Sequence, residues 1–180
     1  MVFDTLIFIP SILVLPPYDQ DTHKKQNISI SKKKKYQNDI IFIGTWSPKK
    51  GELLKKLIKY GLNIKIFGLL WNKDPDYQFL KSNVELNHVF HPNYSKLIQN
   101  SKIALCLFAE ENLDTITARS IEIPAIGTLL LSLRTKAMKN IFIENEEAIF
   151  FSSTKECFEK CKYYLKNQKK AQMIANKGHV

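Results

Sequence analysis

Two carboxylates and a lysine are the residues of this sequence whose types and spacing could do chemistry. Asp114 and Glu122 frame the segment DTITARSIE, eight positions apart. Ionised carboxylates accept paired hydrogen bonds from neighbouring hydroxyls, so this pair suits a polyhydroxyl ligand. Glu122 is the more telling of the two. It lies between Ile121 and Ile123, just ahead of the apolar run TLLLSL, and Gly127 permits a tight turn between them. Burying an unpaired carboxylate costs on the order of several kcal/mol, which asks for a compensating role. A reading without ligand chemistry stands beside this one. Asp114 would cap a helix by accepting from the N–H of Ile116 or Thr117, and Glu122 would pair with Arg119, three residues back.

The stretch GTWSPKKG, residues 44–51, offers a second kind of chemistry. Gly44 ends an apolar run and lets another group approach the backbone. Ser47 and Pro48 suit the first positions of a helix, whose free N–H groups and dipole attract an anion. Lys49 or Lys50 adds a full charge. A plain strand–turn–helix explains the same residues, because neither G-x-G-x-x-G nor a Walker pattern is present.

Other motifs offer less. DPD, Asp74 to Asp76, matches an Asp-x-Asp metal–nucleotide signature, but Pro75 at its centre and Asn72 nearby make it a turn. His23, His88, His91 and His179 show no metal spacing. Cys106 lies in IALCLF and reads as core. Cys157 and Cys161 share an apolar helix face with Phe158, Tyr164 and Leu165. No metal and no cofactor is expected, and free thiols point to a reducing, cytoplasmic compartment.

These residues need elements to position them. DIIFIGT (39–45), NIKIFG (63–68), IALCLF (103–108), TLLLSL (128–133) and EEAIFFS (146–152) read as buried strands. Between them lie helical patterns. SPKKGELLKKLIKYG carries Leu53, Leu54, Leu57 and Ile58 on one face, with Ser47 as N-cap and Gly61 as its stop. PNYSKLIQNS and TKAMKNIF are short helices, LDTITARSIEIPA a helix starting near Asp114, and residues 154–178 are helical with a break near Asn167. Residues 69–91 are less regular. Alternation of apolar strands and helices predicts an α/β, doubly wound parallel sheet of about five strands, with ligands at the carboxyl ends of the strands.

Length and charge set the limits. A chain of 180 residues suits one domain. Its 27 basic and 17 acidic residues give a net charge of +10, which invites a polyanion as partner. The lysines are scattered over several segments, however, and only Arg119 and Arg134 supply guanidinium groups, so solvated helix faces explain the charge and no nucleic acid is expected. The N-terminal MVFDTLIFIPSILVLPP is broken by Pro10, carries Asp4 and is too short to span a bilayer. It reads as a strand that packs against something else, and it is a candidate surface for association. Residues 18–38 are polar and lysine-rich, a linker by composition.

Several segments together carry a family resemblance: NDIIFIGTWSPKKGELL, SKIALCLF, DTITARSIEIPAIGTLLLSLRT and IFIENEEAIFFSSTKECFEKCKYYL. From about residue 12 onward the chain resembles the C-terminal domain of the spore-maturation CgeB-like glycosyltransferases, relatives of the group 1 transferases of GT-B fold. The resemblance implies a Rossmann-like domain that binds a nucleotide-sugar donor, for transfer to an unknown acceptor. It implies that Glu122 holds the ribose hydroxyls and that Asp114 lies by the donor sugar. It implies further that Gly44, Thr45, Lys50 and Arg119 serve the diphosphate. Thr45 stands where the family often has a basic residue. Under the resemblance, residues 1–38 are the exit strand and linker of an N-terminal acceptor domain, and residues 39–180 are a donor domain ending short of the family's C-terminus. The alternative is a non-catalytic nucleotide- or protein-binding module of the same fold.

Overall fold

A computed structural model of the protein describes residues 19–29, 34–109 and 113–179. The apolar strand expected at the N-terminus falls outside them. The fold is one parallel sheet with helices on both faces. In chain order the strands are β1 (Asn38–Ile43), β2 (Ile64–Phe67), β3 (Val84–Glu85), β4 (Ser101–Cys106), β5 (Leu129–Leu133) and β6 (Ile149–Phe151). Their order across the sheet is β3-β2-β1-β4-β5-β6, and every neighbouring pair is parallel. The sheet therefore has six strands rather than about five. The additional one, β3, has only two residues, too few to show a period within the irregular stretch 69–91.

The helices that flank this sheet among the described residues include α1 (Pro48–Lys59), α2 (Tyr77–Leu80), α3 (Asn93–Gln99), α4 (Arg119–Ile126), α5 (Lys136–Ile141), α6 (Thr154–Lys166) and α7 (Gln168–Lys177), with a 3-10 turn at Trp71–Lys73. Alternating strand residues divide the core into two layers. Ile40, Phe42, Ile66, Leu105 and Leu131 meet Leu54 and Leu57 of α1, Cys157 and Cys161 of α6, and Ile174 of α7. Ile41, Ile43, Ala104, Cys106 and Leu130 meet Tyr94 and Ile98 of α3, Ile123 and Ile126 of α4, and Met138 of α5. All three cysteines are buried and free, as expected of core residues. The break near Asn167 is real: α6 ends at Lys166 and α7 starts at Gln168.

Two local expectations are corrected. The helix after β4 begins at Arg119, not near Asp114. Thr115, Ile116 and Thr117 are β-branched in a row, and such side chains lose rotamer freedom against a preceding helical turn. Asp114 is consequently no N-cap. Its backbone N–H donates to Ala109 O at 3.2 Å, and its carboxylate has no partner among the described residues. Ser47 does occupy the N-cap of α1 with Pro48 next to it, but its hydroxyl makes no capping bond. The glycine stops are as expected. The N–H groups of Gly127 and Thr128 close α4 on Pro124 O and Ile123 O, with Gly127 left-handed at φ 84°.

Candidate functional site

β1 and β4 are neighbours whose connections leave in opposite directions across the sheet, so the strand order reverses between them. A crevice outside the carboxyl ends of the strands forms at such a point. Two loops flank it here. One runs from Gly44 to Ser47 and opens α1, and on the other side residues 113–118 lead into α4.

The first loop is built by close backbone packing. Gly44 N–H donates to Phe67 O at 2.8 Å, and Gly44 O accepts from the Trp71 indole at 2.9 Å. Gly68, at φ 148°, faces it so closely that a Cβ there would lie 2.1 Å from Gly44 O. Trp46 continues the loop, and its indole N–H donates to Asp74 Oδ2 at 2.9 Å. The side chain of Asp74 is fully buried and pairs with Lys55 at 2.8 Å, and its Oδ1 accepts the Asp76 N–H. Lys55 and these donors outweigh burial and hold the Asp74 carboxyl below its ordinary range. DPD is thus a turn that fastens the first loop through Trp46. Lys49 and Lys50 follow, and with Leu53 of α1 they share a cavity of ≈ 40 Å³ with Leu107, Phe108 and Leu133. Thr45 lies in this loop between Gly44 and Trp46.

The second loop turns into α4 over a small polar bed. Thr117 N–H donates to Ser120 Oγ at 3.2 Å, and Cys106 Sγ lies 3.5 Å from Thr117 Oγ1 and 3.6 Å from Ser120 Oγ. Burial pushes the Cys106 thiol up, so it serves as a neutral support. Arg119 and Glu122 both lie in the first turn of α4, yet the ion pair of the reading without ligand chemistry does not form between them among the described residues. Among the described residues, Arg119 Nε, Ser47 Oγ and Ser132 Oγ of β5 are buried without a hydrogen-bond partner. Glu122 instead accepts from the Tyr94 hydroxyl at 2.7 Å through Oε2, and its Oε1 lies 3.6 Å from His23 Nε2. Burial first, then the Glu122 charge, raises Tyr94 well above its ordinary range, which keeps the phenol a donor.

The expected site residues therefore form two groups, one on each side of the crevice. Gly44, Thr45 and Lys50 belong to the first loop, and Asp114, Arg119 and Glu122 to the second. Sequence reasoning did not find Trp46, Asp74, Tyr94 or His23 as parts of this region. The signal for Asp74 was its place in a motif, set aside as a turn.

Known proteins place the chain within a family. No curated protein sequence matches it significantly. Among solved structures it is similar to the C-terminal domain of a glycosyl transferase group 1 family protein from Francisella tularensis, at 14% identity and TM-score 0.65, covering 91% of this chain and 95% of that one. It is similar to HepE from Anabaena, solved in complex with UDP-glucose, at 13% identity and TM-score 0.68. It is also similar to sucrose-phosphate synthase from Thermosynechococcus elongatus, at 12% identity and TM-score 0.66. In these last two the match covers 89% of this chain but 49% and 45% of the larger protein, so the chain spans about half their length. At such identities the likeness shows the fold, that of a GT-B C-terminal domain. A family model described as glycosyl transferase-like matches residues 49–180, most of the sequence, and the chain belongs to that family.

Proposed function

We propose that this domain binds the nucleotide-sugar donor of a glycosyltransferase of the group 1, CgeB-like kind, for transfer to an acceptor not yet identified. One observation carries the reading. At the point where the strand order reverses, each flanking helix opens with a buried polar atom that has no hydrogen-bond partner among the described residues, Ser47 Oγ at the N-cap of α1 and Arg119 Nε on α4. Unpaired buried donors cost about 1–3 kcal/mol each, and a diphosphate between the two helix N-termini would satisfy both.

The roles follow from position. Gly44 and Thr45 let the phosphates approach the backbone, and the N-terminus of α1 with Lys50 attracts their charge. Arg119 adds a guanidinium from the opposite loop. Glu122 receives the ribose hydroxyls, and Asp114, whose carboxylate has no partner among the described residues, lies toward the sugar. In transfer, the sugar–diphosphate bond breaks and negative charge grows on the departing nucleotide. Fixed N–H groups and cations at that point stabilise it. No metal is needed for this step in the proposal. The neighbour solved with UDP-glucose supports the choice of donor class.

The test is calorimetric titration of the chain with a nucleoside diphosphate. Wild type is expected to bind, and Glu122→Ala to weaken binding by about 10-fold or more, the worth of hydrogen bonds to a charged acceptor. Equal binding by wild type and Glu122→Ala would overturn the assignment.

A further inference from the structure

The segment ahead of the sheet reaches the candidate site. Residues 19–29 lie along α3 and α4: Ser95 Oγ donates to Thr22 O at 2.8 Å, and Gln99 exchanges two hydrogen bonds with the Gln26 backbone. Within it Asp19 to His23 forms a tight turn. Asp19 carboxylate oxygens accept from Asp21 N–H at 2.8 Å and Thr22 Oγ1 at 2.6 Å, and His23 N–H donates to Asp19 O at 2.7 Å. The turn presents His23 to Glu122, and the imidazole stands edge-on to Tyr94 with ring centroids 6.0 Å apart.

The tautomer follows from these contacts. Asp19 N–H donates to His23 Nδ1 at 3.1 Å, so Nδ1 is the acceptor. In the neutral ring the proton then sits on Nε2, and Nε2 is the atom that faces Glu122 Oε1. Tyr94 hydrogen-bonds Oε2, and His23 Nε2 faces Oε1 from 3.6 Å, a polar contact longer than a hydrogen bond. A carboxylate has about four lone-pair sites. At least one remains on each oxygen, which is what a vicinal diol requires. The Glu122 side chain keeps 16% of its surface exposed, and that edge is where the diol would approach.

We propose that His23 is a positioning residue for ribose recognition: with Tyr94 it fixes the plane of the Glu122 carboxylate so that its free lone pairs meet the 2′- and 3′-hydroxyls. The inference rests on Glu122 as the ribose carboxylate. His23 does not touch the nucleotide. It acts through Glu122, and its effect is felt only by ligands that carry the diol.

The test compares a ribonucleoside diphosphate with its 2′,3′-dideoxy analogue, titrated into the full chain. Wild type favours the ribose form. His23→Phe keeps the ring against Tyr94 but removes the N–H, and it should erode that preference about threefold, the worth of a partly exposed polar contact. His23→Gln, which restores an N–H near the Nε2 position, should recover most of it. Tyr94→Phe, which removes a hydrogen bond of 2.7 Å, should erode it at least as much, and dideoxy binding should stay constant throughout. An unchanged preference in His23→Phe, with Glu122→Ala abolishing the preference, overturns the role of His23 and leaves Glu122 in place. An unchanged preference in Glu122→Ala overturns the underlying reading as well, and so does a wild type that binds neither ligand. Equal loss for both ligands in His23→Phe would show a merely structural role.

Discussion

At the scale of residues, the sequence showed where a charge intrudes on the core but not what holds it there. Glu122 stood out because apolar neighbours surround it. Its partners did not, because Tyr94 comes from α3 and His23 from the turn ahead of the sheet, and only the fold brings them together. The same holds for Asp74. Its buried side chain pins both Trp46 and Lys55, and a Cβ on Gly51 would lie 2.3 Å from its Oδ2. Asp74→Ala should cost about 2 kcal/mol in urea unfolding, because it frees the Trp46 indole and leaves Lys55, only 16% exposed, with Asp76 alone at 2.9 Å. A loss under about 1 kcal/mol would mean that the turn does not fasten the first loop.

At the scale of elements, the strands were legible because they are continuous apolar runs, and most helices because their apolar faces repeat. The beginning of α4 was not, since a candidate cap at Asp114 competes with three β-branched residues, and backbone preference wins. Nor was the clamp that joins β5, β6 and α6. Arg134 donates to Glu144 at 2.6 Å and to Glu156 at 2.6 Å, and Lys160 reaches both carboxylates. The Arg134 guanidinium holds Glu144 below its usual range and pulls Glu156 to about 2 from an ordinary 4.5. Unfolded chains bind these protons at a higher pH than the folded protein does. The clamp's contribution is therefore present above about pH 4.5 and is lost as pH falls toward about 2. The urea midpoint should drop across that window, and Glu156→Gln should lower it near neutral pH and flatten the drop. A midpoint as steep in the variant as in wild type would remove the clamp from the account.

At the scale of the whole molecule, the strand order determines where ligands can go. Continuous apolar strands predicted a parallel sheet, and the reversal between β1 and β4 then selects one crevice among its edges. A different concavity, ≈ 600 Å³ and lined by Phe67, His88, Phe90 and His91, lies beside β2 and β3. Hydrogen exchange separates the two directly. On adding a nucleoside diphosphate to the full chain, amide protection should rise in residues 44–51 and 113–122, the loops that open α1 and α4. Protection confined to residues 86–93, or unchanged in both loops at saturating ligand, would contradict the claim that this crevice is the donor site.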